Sequence, residues 1–509
     1  MKKIVKRTAL IIGVILTLCC GNFGCGGSVE SNLPSLPDYS GTTESYSFFA
    51  YSPNGSGKYT IDGTVRELGP DMRTVEGFTD YKNAGFDILM VTGDNAYNGE
   101  GWEGSNAEKV TRTAEKAGNT KILLNDKRIN ALFEEKDGLV GAGGRFATQE
   151  ELVSFVKSCM EDYANERCLY GIQIRDEPDY TYLKATGEIY KAIKAAALEL
   201  NLGNIFINLN LLPLSQNSKM YAKDPVNLTD AYSEYVNDYL DETEADRICC
   251  DVYLFRKDGI CSWFYQTVQI IRKACDERGI KMSFCLQSFE LYSGTTKVYR
   301  AVGRSEMFME LYSLMGFGID QFAYYTYHMP TFFSTGWPDN STFINLSGEK
   351  NNVYYYGQSA MATAKKMSDI MMNYKFKGAK FFFTSGVPSF GISNYTTSKQ
   401  DLYTGTSALF DNGYQFAKLK GVEFDNDVVL SSELYDEKND LYMYMLQNVI
   451  DPAGGEYGRT AEHVKADFGS EFTCVAEIFD GNLQYIKLDS GKYERTLSAG
   501  SAVYLIPLK

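Results

Sequence analysis

Eight short apolar runs, separated by helix-patterned stretches, constrain this chain more than any other feature of its sequence. The runs are YSFFAY (46–51), DILMV (87–91), KILLN (121–125), YGIQIR (170–175), NIFIN (204–208), ICCDVY (248–253), MSFCLQ (282–287) and DQFAYYTY (320–327). Stretches such as TQEELVSFVKSCMEDYA, YLKATGEIYKAIKAAALEL and WFYQTVQIIRKACDERG lie between them, with apolar residues three and four apart. That is the period of an amphipathic helix. Gly85, Gly118, Gly203, Gly279 and Gly316 stand where helix C-caps are expected. Eightfold alternation of strand and helix predicts a (β/α)8 (TIM) barrel. An open doubly wound sheet alternates in the same way. However, the segment after the first run, YSPNGSGKYT, has neither dinucleotide nor Walker spacing.

From about Lys375 the apolar period falls to two, in AKFFFTSG, DVVLSSELY, LYMYMLQNV, EFTCVAEIF and AVYLIPLK, with turn signals between them. The expected organisation is a leader over 1–25, a Ser/Gly/Pro-rich linker over 26–44, a barrel over 45–373 and an all-β sandwich over 374–509. The leader pairs Lys2, Lys3, Lys6 and Arg7 with the apolar ALIIGVILTLCC, a secretory signal too short to span a bilayer. It runs into Gly24-Cys25-Gly26-Gly27-Ser28, which resembles a bacterial lipoprotein processing site with Cys25 as the acylated residue. Asn22 departs from the leucine usual there, and Cys20 is a second choice. The expected location is the outer face of a bacterial membrane, held by lipid alone, or outside the cell.

Charge excludes one class of partner. The formal net charge is −15 and the leader carries four of the positive charges, so the body repels nucleic acid and anionic surfaces. Of eleven cysteines three fall in the leader; Cys249, Cys250 and Cys285 sit in apolar runs and read as core thiols. His328 and His463 are the only histidines, little material for zinc or histidine catalysis. No metal or cofactor is expected. DNDVV (425–429) and DEKND (436–440) lack calcium-loop spacing and read as turn acids.

The fourth run ends in Arg175-Asp176-Glu177-Pro178. In a barrel the C-terminal strand ends carry the chemistry, so the two acids stand on the functional rim and the proline fixes their loop. A salt bridge with Arg175, or a helix N-cap, is the plainer alternative. An acidic pair after the fourth strand resembles the glycoside hydrolases of clan A. Asp-Glu-Pro at this point is similar to bacterial lipoproteins and galactosidase-like proteins related to glycoside hydrolase family 42. INLNLLP, CCDVYLF, FCLQS and FAYYTYHMP fit the other rims, over roughly Tyr46–Met372. The resemblance implies that Glu177 is the general acid/base, with Asp176 raising its pKa. It also implies a nucleophilic glutamate at the seventh strand, where this chain has Gln287.

Three groups are candidates for the missing role: Glu290, three residues on; Asp251, at the end of the sixth run; or the substrate's own N-acetyl group, oriented by Asp176 as in the substrate-assisted hexosaminidases. Asp251 reads equally as a loop-bonding acid, and Glu290 as a solvated charge. Asn208, Tyr253, Gln287, Tyr324, Tyr325 and Trp337 are candidate sugar contacts, with half of the tyrosine run expected to pack. The expectation is a lipid-anchored glycosidase acting on oligo- or polysaccharide. A barrel that binds glycan without cleaving it is the alternative, for which Gln287 argues.

Overall fold

Parallel pairing closes the eight runs into a ring. A computed structural model describes residues 33–51, 58–61, 64–67, 73–136, 138–214, 218–225, 227–257, 259–261, 263–293, 296–328, 342–345, 348–383, 414–425, 428–452 and 461–509. The barrel strands are β1 (Ser47–Tyr51), β2 (Ile88–Val91), β3 (Ile122–Asn125), β4 (Leu169–Asp176), β5 (Phe206–Leu211), β6 (Arg247–Asp251), β7 (Lys281–Gln287) and β8 (Gln321–Tyr325). Each pairs with the next, and β1 pairs with both β2 and β8. The principal helices are α1 (Val75–Ala84), α2 (Asn106–Lys116), α3 (Gln149–Met160), α4 (Leu183–Glu199), α5 (Leu228–Thr243), α6 (Trp263–Arg278), α7 (Arg304–Gly316) and α8 (Asn352–Met371). Thr74, Ser105, Thr148, Asn227 and Asn351 cap five of them by accepting a backbone N–H.

Inside the ring, Phe49, Ile88, Met90, Leu123, Cys285 and Ala323 pack with Phe206. This filled middle separates two polar mouths. All eight described cysteines are free and buried, as core thiols should be.

Gly85, Gly118, Gly203 and Gly279 take the left-handed conformation expected after a helix. Gly316 does not: it is the last residue of α7, and Gly318 makes the turn at φ 72°. Gly316 serves close approach instead, since a Cβ there would meet Met445 Sδ at 2.5 Å and Ser432 Oγ at 2.9 Å.

Those two neighbours belong to the C-terminal β layers. An antiparallel six-stranded sheet runs in the order Lys375–Phe383, Val428–Asp436, Leu441–Asn448, Ala502–Leu508, Cys474–Phe479 and Asn482–Lys487. A three-stranded sheet of Gly421–Phe424, Ala461–Asp467 and Lys492–Ser498 faces it across a core including Tyr444, Leu446, Val464, Tyr493 and Leu497. The β-sandwich is as expected; four of its strands (Gly421–Phe424, Ala461–Asp467, Asn482–Lys487, Lys492–Ser498) lack a clean apolar alternation and escape a sequence reading.

Pro34–Lys509 forms one compact unit. Ser313 Oγ donates to Gln447 Oε1 at 2.7 Å, Gln447 Nε2 to the Met309 carbonyl at 2.8 Å, and Tyr504 hydroxyl to the Tyr312 carbonyl at 3.2 Å. Residues 34–44 are not the free linker expected of them. Tyr39 is buried and donates to Asp436 Oδ2 at 2.7 Å, and Thr42 Oγ1 bonds the Asp369 carbonyl at 3.1 Å. Composition marks a polar segment but not the surface that holds it.

Candidate active site

The end of β4 departs from strict alternation, and that departure builds the site. Gly171 and Gln173 lie opposite Phe206 and Asn208 of β5 and face the barrel interior. The same period would next turn Arg175 inward. Instead the register slips between Gln173 and Asp176, leaving Asp176 opposite Asn210. A bulge of this kind re-aims a strand end. Arg175 points away, donates to the Phe133 carbonyl and stacks 3.8 Å over the Tyr182 ring. The Arg175 salt bridge considered from sequence is therefore replaced by these two contacts.

Glu177 follows at φ 47°, in the left-handed region. For a non-glycine residue this costs on the order of 1–3 kcal/mol, and such strain clusters at functional sites. Its N–H donates to the Asn210 carbonyl at 2.8 Å. Pro178 is buried and its carbonyl accepts from Tyr235 hydroxyl at 2.5 Å, pinning the loop.

β6 contributes the third carboxyl. Asp251 lies opposite Cys285 of β7, on the inward face, and is 4% exposed. Its carboxylate accepts from Tyr253 and Asn210, while Oδ1 has no protein partner. Asn210 also bonds the Asp176 carboxylate, so one amide lies between two acids and its own Oδ1 is left unpartnered. Burial, then the charges of Asp251 and Asp176, push Glu177 up to about 8. Burial, then Asp176, push Asp251 up to about 7. Burial also raises Asp176, against the pull of Asn210. Asp176 and Glu177 remain open to water from the mouth, whose screening blunts their shifts. Asp251 feels its burial most fully.

The rim of β3 provides a contrast. Asp126 is buried there too, but it is paired with Arg128 at 2.7 Å. No cation is among the groups that shift Asp176, Glu177 or Asp251. Three crowded carboxyls without a counter-ion must share protons, the condition for an acid and a base at neutral pH. Among the described residues, no group of His, Cys, Asp or Glu is arranged to hold a metal ion.

Tyrosines wall the mouth. Tyr51 and Tyr325 are register partners with ring centroids 5.8 Å apart, and Tyr253 lies 6.1 Å from Tyr325. Asn208 sits deeper, donating to Gln173 Oε1 at 2.5 Å, with a buried Oδ1 that has no partner. Of the sequence candidates, Asp176, Glu177, Asp251, Tyr253 and Tyr325 come together here, with Asn208 beneath. Tyr51 and Asn210 were missed. The inward period of β5, Phe206, Asn208, Asn210, is the signal that could have found the second.

Other candidates stand elsewhere. Gln287 is fully buried: its Oε1 accepts from Phe255 N–H at 2.9 Å, and its Nε2 donates to the carbonyls of Phe255, Phe289 and Arg300 at 3.3, 3.1 and 3.0 Å. These bonds tie β7 to a four-stranded sheet of loop segments, Gly259–Ile260, Phe255–Arg256, Thr296–Tyr299 and Leu291–Ser293. The amide is spent on backbone and is not a sugar contact. Glu290 is ion-paired with Lys297 and accepts from Tyr292 hydroxyl at 3.2 Å, so it is not a free nucleophile. Tyr324 faces outward and is fully buried against Phe86 and Phe343, because its neighbour Tyr325 takes the inward position. Trp337 and Cys25 lie outside the described residues.

No family model matches the chain, and no curated protein matches it. Solved structures similar to it include a glucosidase from Croceicoccus marinus, at 11% identity and TM-score 0.43 over 91% of this chain and 95% of that one. A glycoside hydrolase family 5 structure from Bacteroides vulgatus gives 11% and 0.46 over 87% and 88%. An α-amylase from Geobacillus thermoleovorans gives 11% and 0.45 over 91% and 98%. At this similarity no residue's role passes from them to this chain. The fold and rim define a (β/α)8-barrel protein with three carboxyls at the C-terminal mouth that have no ion-pair partner among the described residues.

Proposed function

We propose that this protein hydrolyses glycosidic bonds in oligo- or polysaccharide at the C-terminal mouth of its barrel. The observation that carries the reading is the trio Asp176, Glu177 and Asp251, crowded on one rim with no cation among the described residues to neutralise it. Glu177, kept protonated by its surroundings, donates to the departing glycosidic oxygen as general acid. Asp251 is the second carboxyl, attacking the anomeric carbon or deprotonating a water that does so. Tyr51, Tyr253 and Tyr325 offer ring faces to the apolar C–H faces of a sugar. With Gln287 bound to backbone and Glu290 ion-paired, Asp251 is the better-supported choice for the second role.

The test is turnover of aryl β-galactoside, β-glucoside and N-acetyl-β-hexosaminide by the purified protein beside Glu177→Gln. Loss of turnover by about 10²–10⁴-fold is expected. Equal rates from both proteins would end the reading. The anomer first released, followed by proton NMR, distinguishes attack by Asp251 from its action through water.

A second reading, glycan binding without cleavage, is favoured by Gln287, which leaves β7 without a carboxylate. Binding on a glycan array with no reducing ends released would select it. The leader motif supports a further proposal, that lipid on Cys25 tethers the protein to the outer face of a bacterial membrane. Incorporation of a labelled fatty acid in the cell, abolished in Cys25→Ala, is the expected result.

A further inference from the structure

The barrel has a second mouth, at the N-terminal ends of its strands. There a cavity of about 610 Å³ is bordered by the start of β1 at Ser47, of β6 at Arg247, of β7 at Lys281 and of β8 at Gln321. Its volume is in the range of small-molecule sites. Five cationic side chains line it: Lys82, Lys121, Arg247, Lys281 and Lys365. In a chain of net charge −15 such a concentration is not the background composition.

Three carboxylates share the lining, and each has its cation. Asp320 pairs with Arg247 at 2.5 Å and Lys281 at 3.1 Å, Glu44 with Lys281 at 3.1 Å, and Asp87 with Lys365 at 2.7 Å. Lys82 and Lys121 are left over. Lys82 Nζ bonds only the Gly118 carbonyl, at 2.9 Å, and Lys121 Nζ lies 5.1 Å from the Tyr170 ring centre; neither has a carboxylate partner among the described residues. The cavity therefore holds two positive charges in excess, with the hydroxyl-bearing Thr43, Ser45 and Thr120 on the same lining.

We infer that the N-terminal mouth is a binding site for a phosphate group, the Lys82 and Lys121 ammonium groups being its anchors. A single carboxylate would balance one of the two charges. A phosphate monoester carries roughly −1.5 to −2 near neutral pH with three strong acceptor oxygens, which matches both the excess charge and the supply of donors. The group can arrive on a free ion or metabolite, or on a lipid headgroup. The site is independent of the glycosidase reading, since the filled middle of the barrel separates the two mouths.

The test is calorimetric titration of the purified protein with inorganic phosphate, alongside co-sedimentation with phosphatidylcholine vesicles with and without phosphatidic acid. The Lys82→Gln/Lys121→Gln double variant is run beside it; both lysines are exposed, so the fold is retained. Phosphate binding weakened at least about tenfold in the double variant assigns the site to free phosphate. Sedimentation only with phosphatidic acid, lost in the double variant, assigns it to a headgroup. Either supports the inference. Binding of neither probe, or binding that the double variant leaves unchanged, overturns it.

Discussion

Glu177 takes its chemistry from its neighbours as much as from its own side chain. As general acid it must hold its proton, while Asp251 must have lost one. The active form is then the singly protonated pair. Activity rises as Asp251 ionises near about 7 and falls as Glu177 deprotonates near about 8, and both limbs belong to the coupled pair. We predict a narrow bell in kcat/KM between those values. Asp176 raises both groups, so Asp176→Asn should move both limbs to lower pH; a profile that stays put would remove Asp176 from the electrostatics. Asn210 acts in the opposite sense, bonding the ionised forms of Asp176 and Asp251. In Asn210→Ala the acid limb should move up by about one pH unit, a tenfold loss of rate on that limb. A uniform loss with an unchanged profile would mark Asn210 as merely structural. The Asp-Glu-Pro motif made the first two acids legible in sequence, because a rim position can be counted from the strand pattern. The period of β5 could place Asn210 on the inward face, but its pairing with Asp176 was not legible, because that depends on a one-residue slip in register that no periodicity reports.

The same limit operates at the scale of elements. All eight barrel strands and the principal helices follow from apolar period, and the structure reproduces them within a few residues. What period cannot show is what a strand end does once it leaves the ladder. Gln287 occupies the position at which the resemblance implies a nucleophile, yet it holds a four-stranded cap of loop segments through four hydrogen bonds to backbone. This gives a prediction contrary to simple restoration of a motif. In Gln287→Glu the new carboxylate oxygen would face the carbonyls of Phe255, Phe289 and Arg300 with no proton to offer them. The variant should lose about 2–4 kcal/mol of stability in denaturant unfolding and gain no turnover. Increased turnover at unchanged stability would return the nucleophile to β7. The rim tyrosines divide by the same pleat: Tyr325 faces the mouth and Tyr324 the helices, a choice set by register and invisible in FAYYTYHMP.

For the whole molecule, the mouth is held open at a thermodynamic cost that the rest of the fold must offset. α7 is buried along Ser305–Gly316, between the barrel wall on one side and the C-terminal sheet on the other, so the β layers are part of the barrel's support. Against that support stand the carboxyls of the rim. Glu177 and Asp251 have folded pKa values above their ordinary 4.5 and 3.8, so between those ordinary values and about 8 the folded state binds more protons than the unfolded chain. Stability therefore falls as pH rises through that window, the sign opposite to that of a salt-bridged acid. Most of this penalty should reside in Asp251, which is 4% exposed, whereas Glu177 is screened from the mouth. Replacing Asp251 by asparagine removes the buried charge while keeping the shape and an acceptor oxygen for Tyr253 and Asn210. Asp251→Asn should thus melt higher than the native protein at pH 8, by roughly 2–4 °C. The two proteins should converge below about pH 4, where both forms are neutral at that position. Scanning calorimetry across pH reads the difference directly. A gap that persists at low pH would mean that the substitution acts through packing or hydrogen bonding. A gap that is absent below about pH 4, widens as pH rises to about 7 and is level above it would identify the charge of Asp251 as the source of the cost, traded for a base poised at neutral pH.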